Sequence, residues 1–229
     1  MRCSWSVDTL RHSEAMRYLG YAGQQITPEL EERMDLMCVL CDEVARPASV
    51  SCAYDAADLP LELPGKNIAE HLAGAQEVVL FAATLGHGVD RELRRLSATD
   101  PLGQVLFDAA ATAAIEREAN RLEALVRAQA AERGMYCSWR FSPGSGDLPL
   151  SVQPDLLRTL NATRRLGITL TPSNLMVPTK SVTAIVGVHP TPQPGLASSC
   201  AVCELAEFCA LRSSGMRCGA QPTERGTPL

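Results

Sequence analysis

Gly167-Ile-Thr-Leu170, Thr171-Pro172, Leu175-Met-Val-Pro178 and Ser181-Val-Thr-Ala-Ile-Val-Gly-Val188 make the stretch on which the fold turns. The first pieces are too short for helices and are interrupted by proline, so the pattern predicts short strands with breaks between them. The last, rich in β-branched residues, reads as a full strand. Upstream, Gln153 to Arg165 predicts a helix, and Glu77 to Ala83 predicts an apolar strand. A turn at Leu63-Pro-Gly-Lys66 and a short helix over Asn67 to Gln76 precede that strand, and residues 50–59 predict another strand followed by a polar loop. From Thr27 to Arg46 the apolar positions Leu30, Met34, Met37, Cys41 and Val44 recur at helical spacing, with Thr27 as N-cap, Pro28 at the first helical position and an end before Pro47. Helices and strands therefore alternate irregularly, and the late strands follow one another directly.

The chain has 229 residues, 46% hydrophobic and 21% charged, with a mean hydropathy of -0.01. That is an ordinary globular balance, enough for one core or two small ones, and it excludes a disordered tail or a small disulfide scaffold. A net charge of -5 and 4% aromatics argue against a nucleic-acid partner or an anionic membrane surface. The longest apolar run, Val78 to Ala83, is far short of a bilayer span, and the N-terminus carries no long apolar stretch, so a cytoplasmic location is expected. There are no internal repeats.

Asp100-Pro101 caps the longest predicted helix, which runs to about Arg133. Its stripe reads Leu102, Leu106, Ala109, Ala113, then Glu116, then Asn120, with a carboxylate where an apolar residue is expected. Either that charge meets a partner at a cleft, or the stripe rotates onto Ala119, Leu122 and Val126 and leaves Glu116 in water. The loop Thr84-Leu-Gly-His-Gly88 reads as a plain strand-to-helix turn ahead of a backbone anion nest, and the same holds for His87. Arg140-Phe-Ser-Pro143-Gly144-Ser145-Gly146-Asp147-Leu-Pro-Leu150 can form neither helix nor central strand. It is an ordered turn or a binding loop, in which Gly144 and Gly146 allow close backbone approach while Arg140 and Asp147 offer charges at the ends.

Of nine cysteines, Cys3, Cys38, Cys41, Cys52 and Cys137 are scattered, and an odd number is poor economy for export. Cys38 and Cys41 lie mid-helix and read as buried structural thiols. Cys200, Cys203, Cys209 and Cys218 are spaced C-x2-C-x5-C-x8-C behind a Pro/Ser-rich linker, Pro190 to Ser199, and ahead of a frayed tail from Gln221. Four thiolates suit an iron–sulfur cluster, such as 4Fe-4S, or structural zinc; the single close pair favours the cluster, and four reduced surface thiols are the remaining reading.

The loop from Arg140 followed by Leu170-Thr-Pro-Ser-Asn-Leu-Met-Val-Pro-Thr-Lys-Ser-Val-Thr-Ala184 resembles the activation domain of cobalamin (vitamin B12)-dependent methionine synthase, especially stand-alone members. The family pattern is Arg, two residues, Pro-Gly, then about 30 residues later Leu-Thr-x-Ser, Met, Pro and Ser-Val. Leu19-Gly-Tyr-Ala-Gly23 is also similar to the opening of these proteins, so the likeness spans about residues 10 to 190.

The resemblance implies a single α+β domain with a curved antiparallel sheet flanked by helices, over residues 1–190. Residues 191–229 form the linker and the Cys-rich metal-binding segment. It also implies binding of S-adenosylmethionine, with Arg140 near the ligand carboxylate, Glu116 near its ammonium group and the loop Pro143, Gly144, Ser145, Gly146 and Asp147 around it. The partner would be the cobalamin-binding domain of methionine synthase or another corrinoid protein, and the activity reductive reactivation in methionine biosynthesis. Ser145 stands where the family commonly has Tyr, which takes a stacking contact on the corrin away from that position. Two other functions fit the same residues: an iron–sulfur reductive activator of another corrinoid methyltransferase, and a non-catalytic docking module with structural zinc.

Overall fold

Residues 78–83 are buried on both sides of the sheet, and that double burial organises everything around them. The computed structural model describes residues 9–21 and 24–193. It contains α1 (Thr9–Tyr18), α2 (Pro28–Val44), β1 (Ala48–Asp55), α3 (Lys66–His71), β2 (Glu77–Thr84), α4 (His87–Thr99), α5 (Pro101–Glu132), β3 (Tyr136–Cys137), α6 (Gln153–Thr159), α7 (Ala162–Leu166), β4 (Thr169–Leu170), β5 (Met176–Val177) and β6 (Ser181–His189). The main sheet has the order β1-β2-β6-β3, with every pair antiparallel, and β4 and β5 form a separate two-stranded hairpin.

Successive side chains of β2 point to opposite faces, so one apolar run feeds two cores. Val79, Phe81 and Ala83, with Ala184, Val186 and Val188 of β6, pack against α1, α2, α4 and α5. Val78, Leu80 and Ala82, with Ile185, pack against Trp139, Phe141, Leu148 and the α6–α7 segment. An antiparallel strand usually alternates apolar and polar because one face meets water, and here helices cover both. The α+β architecture with an antiparallel sheet flanked by helices is therefore present.

Local signals decide where elements begin. Thr27 Oγ1 accepts the Leu30 N–H, with Pro28 opening α2, and Asp100 Oδ1 accepts the Gly103 N–H at 2.9 Å, with Pro101 opening α5. Cys38 and Cys41 are buried thiols of α2, as read. The 84–88 segment is a strand-to-helix turn in which Gly86 N–H donates to Thr84 Oγ1 at 3.1 Å; His87 is exposed.

Two expectations need correction. The helix read over Gln153 to Arg165 is two helices, because Asn161 takes a left-handed conformation (φ 51°) between α6 and α7. Leu102 is 49% exposed and not part of the α5 stripe, which begins at Gly103, Leu106 and Phe107. The stripe winds across α5 to Ala119, Leu122, Val126 and Ala130, because α1, α2, α4 and the sheet all pack on it.

On the α3 side, a polar group sits inside the core. The Ser138 hydroxyl accepts the Gly187 N–H at 2.9 Å and lies 2.8 Å from His71 Nε2. His71 is 2% exposed, its ring edge-on to Trp139 with centroids 4.6 Å apart. Burial pushes the His71 imidazole down to about 4, and the charge of His189 adds a smaller push in the same direction.

Two outcomes follow from this packing. A Cβ on Gly88 would lie 2.2 Å from the Val44 carbonyl oxygen, so Gly88→Ala forces α4 away from the end of α2. It should cost about 1–3 kcal/mol, read as a drop of several degrees in thermal denaturation. For His71, the unfolded chain binds a proton below about pH 6.5, while the folded chain resists protonation down to about 4. Its contribution is complete above about pH 6.5 and is lost progressively as the pH falls towards 4. His71→Gln, which can still reach Ser138 but does not titrate, should lose ~2 kcal/mol less stability than the parent between pH 7 and pH 5 in denaturant titrations; equal losses would assign the acid sensitivity elsewhere.

Candidate functional site

The chain reverses after α5 through Gly134 (φ 70°), and Met135 N–H donates to Ala130 O at 2.9 Å, which sends β3 along the edge of β6. Ser138 N–H donates to Gly187 O, continuing the register of β3 with β6, whereas Phe141 and Ile185 exchange two bonds at 2.8 Å one residue out of that register. Trp139 and Arg140 therefore share the position opposite Val186, which is a β-bulge. Trp139 and Phe141 turn into the core under α3 and α6, and Arg140 turns the other way, onto α5.

There the Arg140 guanidinium meets three side chains of one helix face. Nη2 donates to Glu116 Oε2 at 2.5 Å, and Nη1 donates to Asn120 Oδ1 at 2.5 Å and Glu123 Oε2 at 3.1 Å. Glu123 also accepts from Arg127 at 2.6 Å, and Arg127 donates onward to the Cys137 and Ser138 carbonyls at 2.9 and 3.0 Å. Two carboxylates and two guanidinium groups cancel in charge. Such a group is tolerated with Arg140 and Glu123 both only 15% exposed because each guanidinium donates to a carboxylate of the group. Glu116, at 35%, is more open than Arg140 or Glu123.

The Pro143 to Asp147 loop follows directly. Gly144 N–H donates to Leu148 O at 2.8 Å and Ser145 N–H to Ser142 O at 3.0 Å, closing a compact turn in which Pro143 is buried and Gly144 exposed. Gly144 (φ 90°) and Gly146 (φ 51°) take left-handed conformations, and a Cβ on Gly146 would meet Asn67 and the Phe141 ring at 3.3 Å. The Asp147 carboxylate accepts the Lys66 N–H at 2.6 Å and the Asn67 N–H at 3.1 Å, so it pins the loop to the start of α3.

Glu116 and Arg140 are thus brought into direct contact, with Pro143, Gly144, Ser145 and Gly146 next along the chain. Asp147 is engaged with backbone on the far side of the loop. Glu123 and Arg127 were missed by the sequence reading, although 116, 120, 123 and 127 step by four, three and four along one helical face. Cys200, Cys203, Cys209 and Cys218 lie outside the described residues. Among the described residues no cluster of three or more His, Cys, Asp or Glu side chains is arranged to hold a metal ion, and no helix is long and apolar enough to cross a membrane.

A search of the curated proteins finds no match. Among solved structures, a crystal structure of the MetH reactivation domain bound to AdoHcy superimposes with a TM-score of 0.56 at 17% identity, over 93% of this chain and 85% of that one. At that identity the likeness establishes the shared fold. Residues 67–194 match the family model described as vitamin B12 dependent methionine synthase, activation domain, a match that takes in β2, α5, the Arg140 bulge with its loop, the β4–β5 hairpin and β6. That is more than half of the 229 residues, and the chain belongs to the family of vitamin B12-dependent methionine synthase activation domains.

Proposed function

We propose that this chain binds S-adenosylmethionine beside the Arg140 bulge and serves, as a separate subunit, in the reductive reactivation of a cobalamin-dependent methionine synthase. The observation that carries the reading is the Glu116–Arg140 pair at 2.5 Å, set at the rim of the neutral cluster. An amino-acid end carries an ammonium and a carboxylate on one carbon. A carboxylate and a guanidinium held side by side are its complement, so the donor set fits the methionine end of the ligand. Glu116 accepts from the ammonium group, Arg140 donates to the carboxylate, and Asn120 and Glu123 keep the guanidinium fork oriented while Glu116 turns to the ligand. The Gly144–Gly146 turn leaves room for backbone contact with the remainder.

S-adenosylmethionine supplies a methyl group to the partner's cobalamin when cob(II)alamin is reduced by one electron, leaving S-adenosylhomocysteine. The work of this chain is to bind the sulfonium ligand, hold it by its charged end, and present it to the corrinoid domain. Ser145 lies on the same turn, so close approach there involves a small hydroxyl and not an aromatic ring.

Cys200, Cys203, Cys209 and Cys218 extend this reading, as a four-thiolate centre that delivers the electron. The spacing of one close pair and two single cysteines supports a cluster ahead of zinc.

Calorimetric titration with S-adenosylmethionine tests the site. Arg140→Lys keeps the charge but loses the fork, and Glu116→Gln keeps the shape but loses the charge; each should weaken binding ~10 to ~150-fold in protein that remains folded by circular dichroism. Binding within twofold of the parent in either variant would remove that residue from the site, and a parent protein that does not bind the ligand would overturn this reading in favour of an iron–sulfur activator of another corrinoid methyltransferase. Separately, protein purified without oxygen should carry about four iron atoms per chain, or one zinc, and lose them in Cys203→Ala. Neither metal in the parent would end the metal reading.

A further inference from the structure

The two ends of the Arg140 guanidinium are engaged differently. Nη1 gives both its hydrogens to α5, one to Asn120 Oδ1 at 2.5 Å and one to Glu123 Oε2 at 3.1 Å. Nη2 donates to Glu116 Oε2 at 2.5 Å, the acceptor that an ammonium group at the site draws away. The side edge formed by Nε and Nη2 is therefore the one that can meet a ligand carboxylate through two parallel bonds. Which edge faces the ligand depends on how Nη1 is held, and so on Glu123.

Glu123 is itself shared between two guanidinium groups. Its Oε1 accepts from Arg127 Nε at 3.2 Å and Arg127 Nη2 at 2.6 Å, and its Oε2 accepts from Arg140. Arg127 also donates to the strand that carries Arg140, with Nη1 2.9 Å from the Cys137 carbonyl and Nη2 3.0 Å from the Ser138 carbonyl, immediately before the bulge. Along the helix axis Arg127 lies about 16 Å beyond Glu116, with Glu123 between them. It therefore acts on the site through Glu123 and the strand, without touching the ammonium end.

We propose that Arg127 is a positioning residue for the amino-acid end of the ligand, and that through Glu123 it makes the site select ligands that carry a carboxylate. The inference rests on S-adenosylmethionine binding at Glu116 and Arg140. Among the described residues Glu123 forms ion pairs with Arg127 and Arg140, and it is only 15% exposed. Without Arg127 its whole charge falls on Arg140. Both oxygens then take the guanidinium, and the fork that would meet the ligand is occupied from within the protein. The group also passes from neutral to net negative, which opposes a ligand carboxylate and favours an ammonium. Loss of Arg127 thus acts on one end of the ligand, whereas general damage to the site acts on both.

Calorimetric titration of the whole chain with S-adenosylmethionine and with its decarboxylated analogue, which keeps the sulfonium and the ammonium, tests this. The parent should bind S-adenosylmethionine ~10 to ~150-fold more tightly than the analogue, as expected for one charge-assisted pair. In Arg127→Met the ratio should fall below ~3, with the analogue bound within about threefold of its affinity for the parent. Adding Glu123→Gln to that variant should restore the ratio, because no unpaired carboxylate then competes for Arg140. Should Arg127→Met fail to fold, Arg127→Gln, which can still donate to a strand carbonyl, takes its place in both steps. Equal weakening of the two ligands, an unchanged ratio, or a lost ratio that Glu123→Gln does not restore would each overturn the proposal and leave the Glu116–Arg140 site standing. A parent that binds neither ligand, or both alike, overturns the reading of the site itself and this inference with it.

Discussion

One extra residue in the strand after β3 aims a guanidinium at α5, and the candidate site depends on that bulge. Without it, side chains along the strand would alternate strictly, and Ser138 and Trp139 could not both face the core under α3. With it, Trp139 and Phe141 anchor the strand from below while Arg140 is released upward into the acidic face of α5. The hydrophobic anchor and the polar cluster are two sides of the same backbone irregularity, and disturbing either one moves the other.

The length of α5 serves the same purpose. A helix of 32 residues is about 48 Å long at 1.5 Å per residue, far more than one strand crossing requires. Its first half packs against α1, α2 and α4 and gives the fold a rigid spine. Its second half carries 116, 120, 123 and 127 along the sheet edge, where Arg127 holds the Cys137 and Ser138 carbonyls and so fixes the start of the bulge. The helix that supplies the carboxylates thus also sets the backbone that supplies the guanidinium. Preorganisation of this kind lets a charged ligand be met without ordering loose side chains.

Much of this was legible in the residues, and the limits have physical causes. Caps at Thr27 and Asp100, the apolar run of β2 and the β-branched run of β6 act locally, so the sequence shows them directly. The break at Asn161 was not visible, because a left-handed asparagine leaves no mark on an otherwise helical pattern. Leu102 looked like core because helical spacing says which residues share a face but not where neighbouring helices stop. For the site, Glu116 was legible as an anomaly and Arg140 through its loop, yet their contact was not. It depends on a register shift between strands far apart in sequence, and no local rule encodes that. The role of Asp147 was hidden similarly, since its partners at residues 66 and 67 belong to another turn.

The two margins of the sheet are built differently. β3 and the Arg140 cluster occupy one edge and β1 the other, with β2 and β6 between them. The guarded edge is the one where precision is required. Its strand is short, its outward carbonyl is claimed by Arg127, and a bulge diverts its course, so no extended segment can pair there and displace the guanidinium. The long β1 edge faces no such demand. Its residues are uncharged up to Asp55, and Arg121 of α5 reaches the Ser49 hydroxyl at 3.5 Å. Backbone pairing is therefore suppressed at β3, where the bulge aims Arg140 at α5.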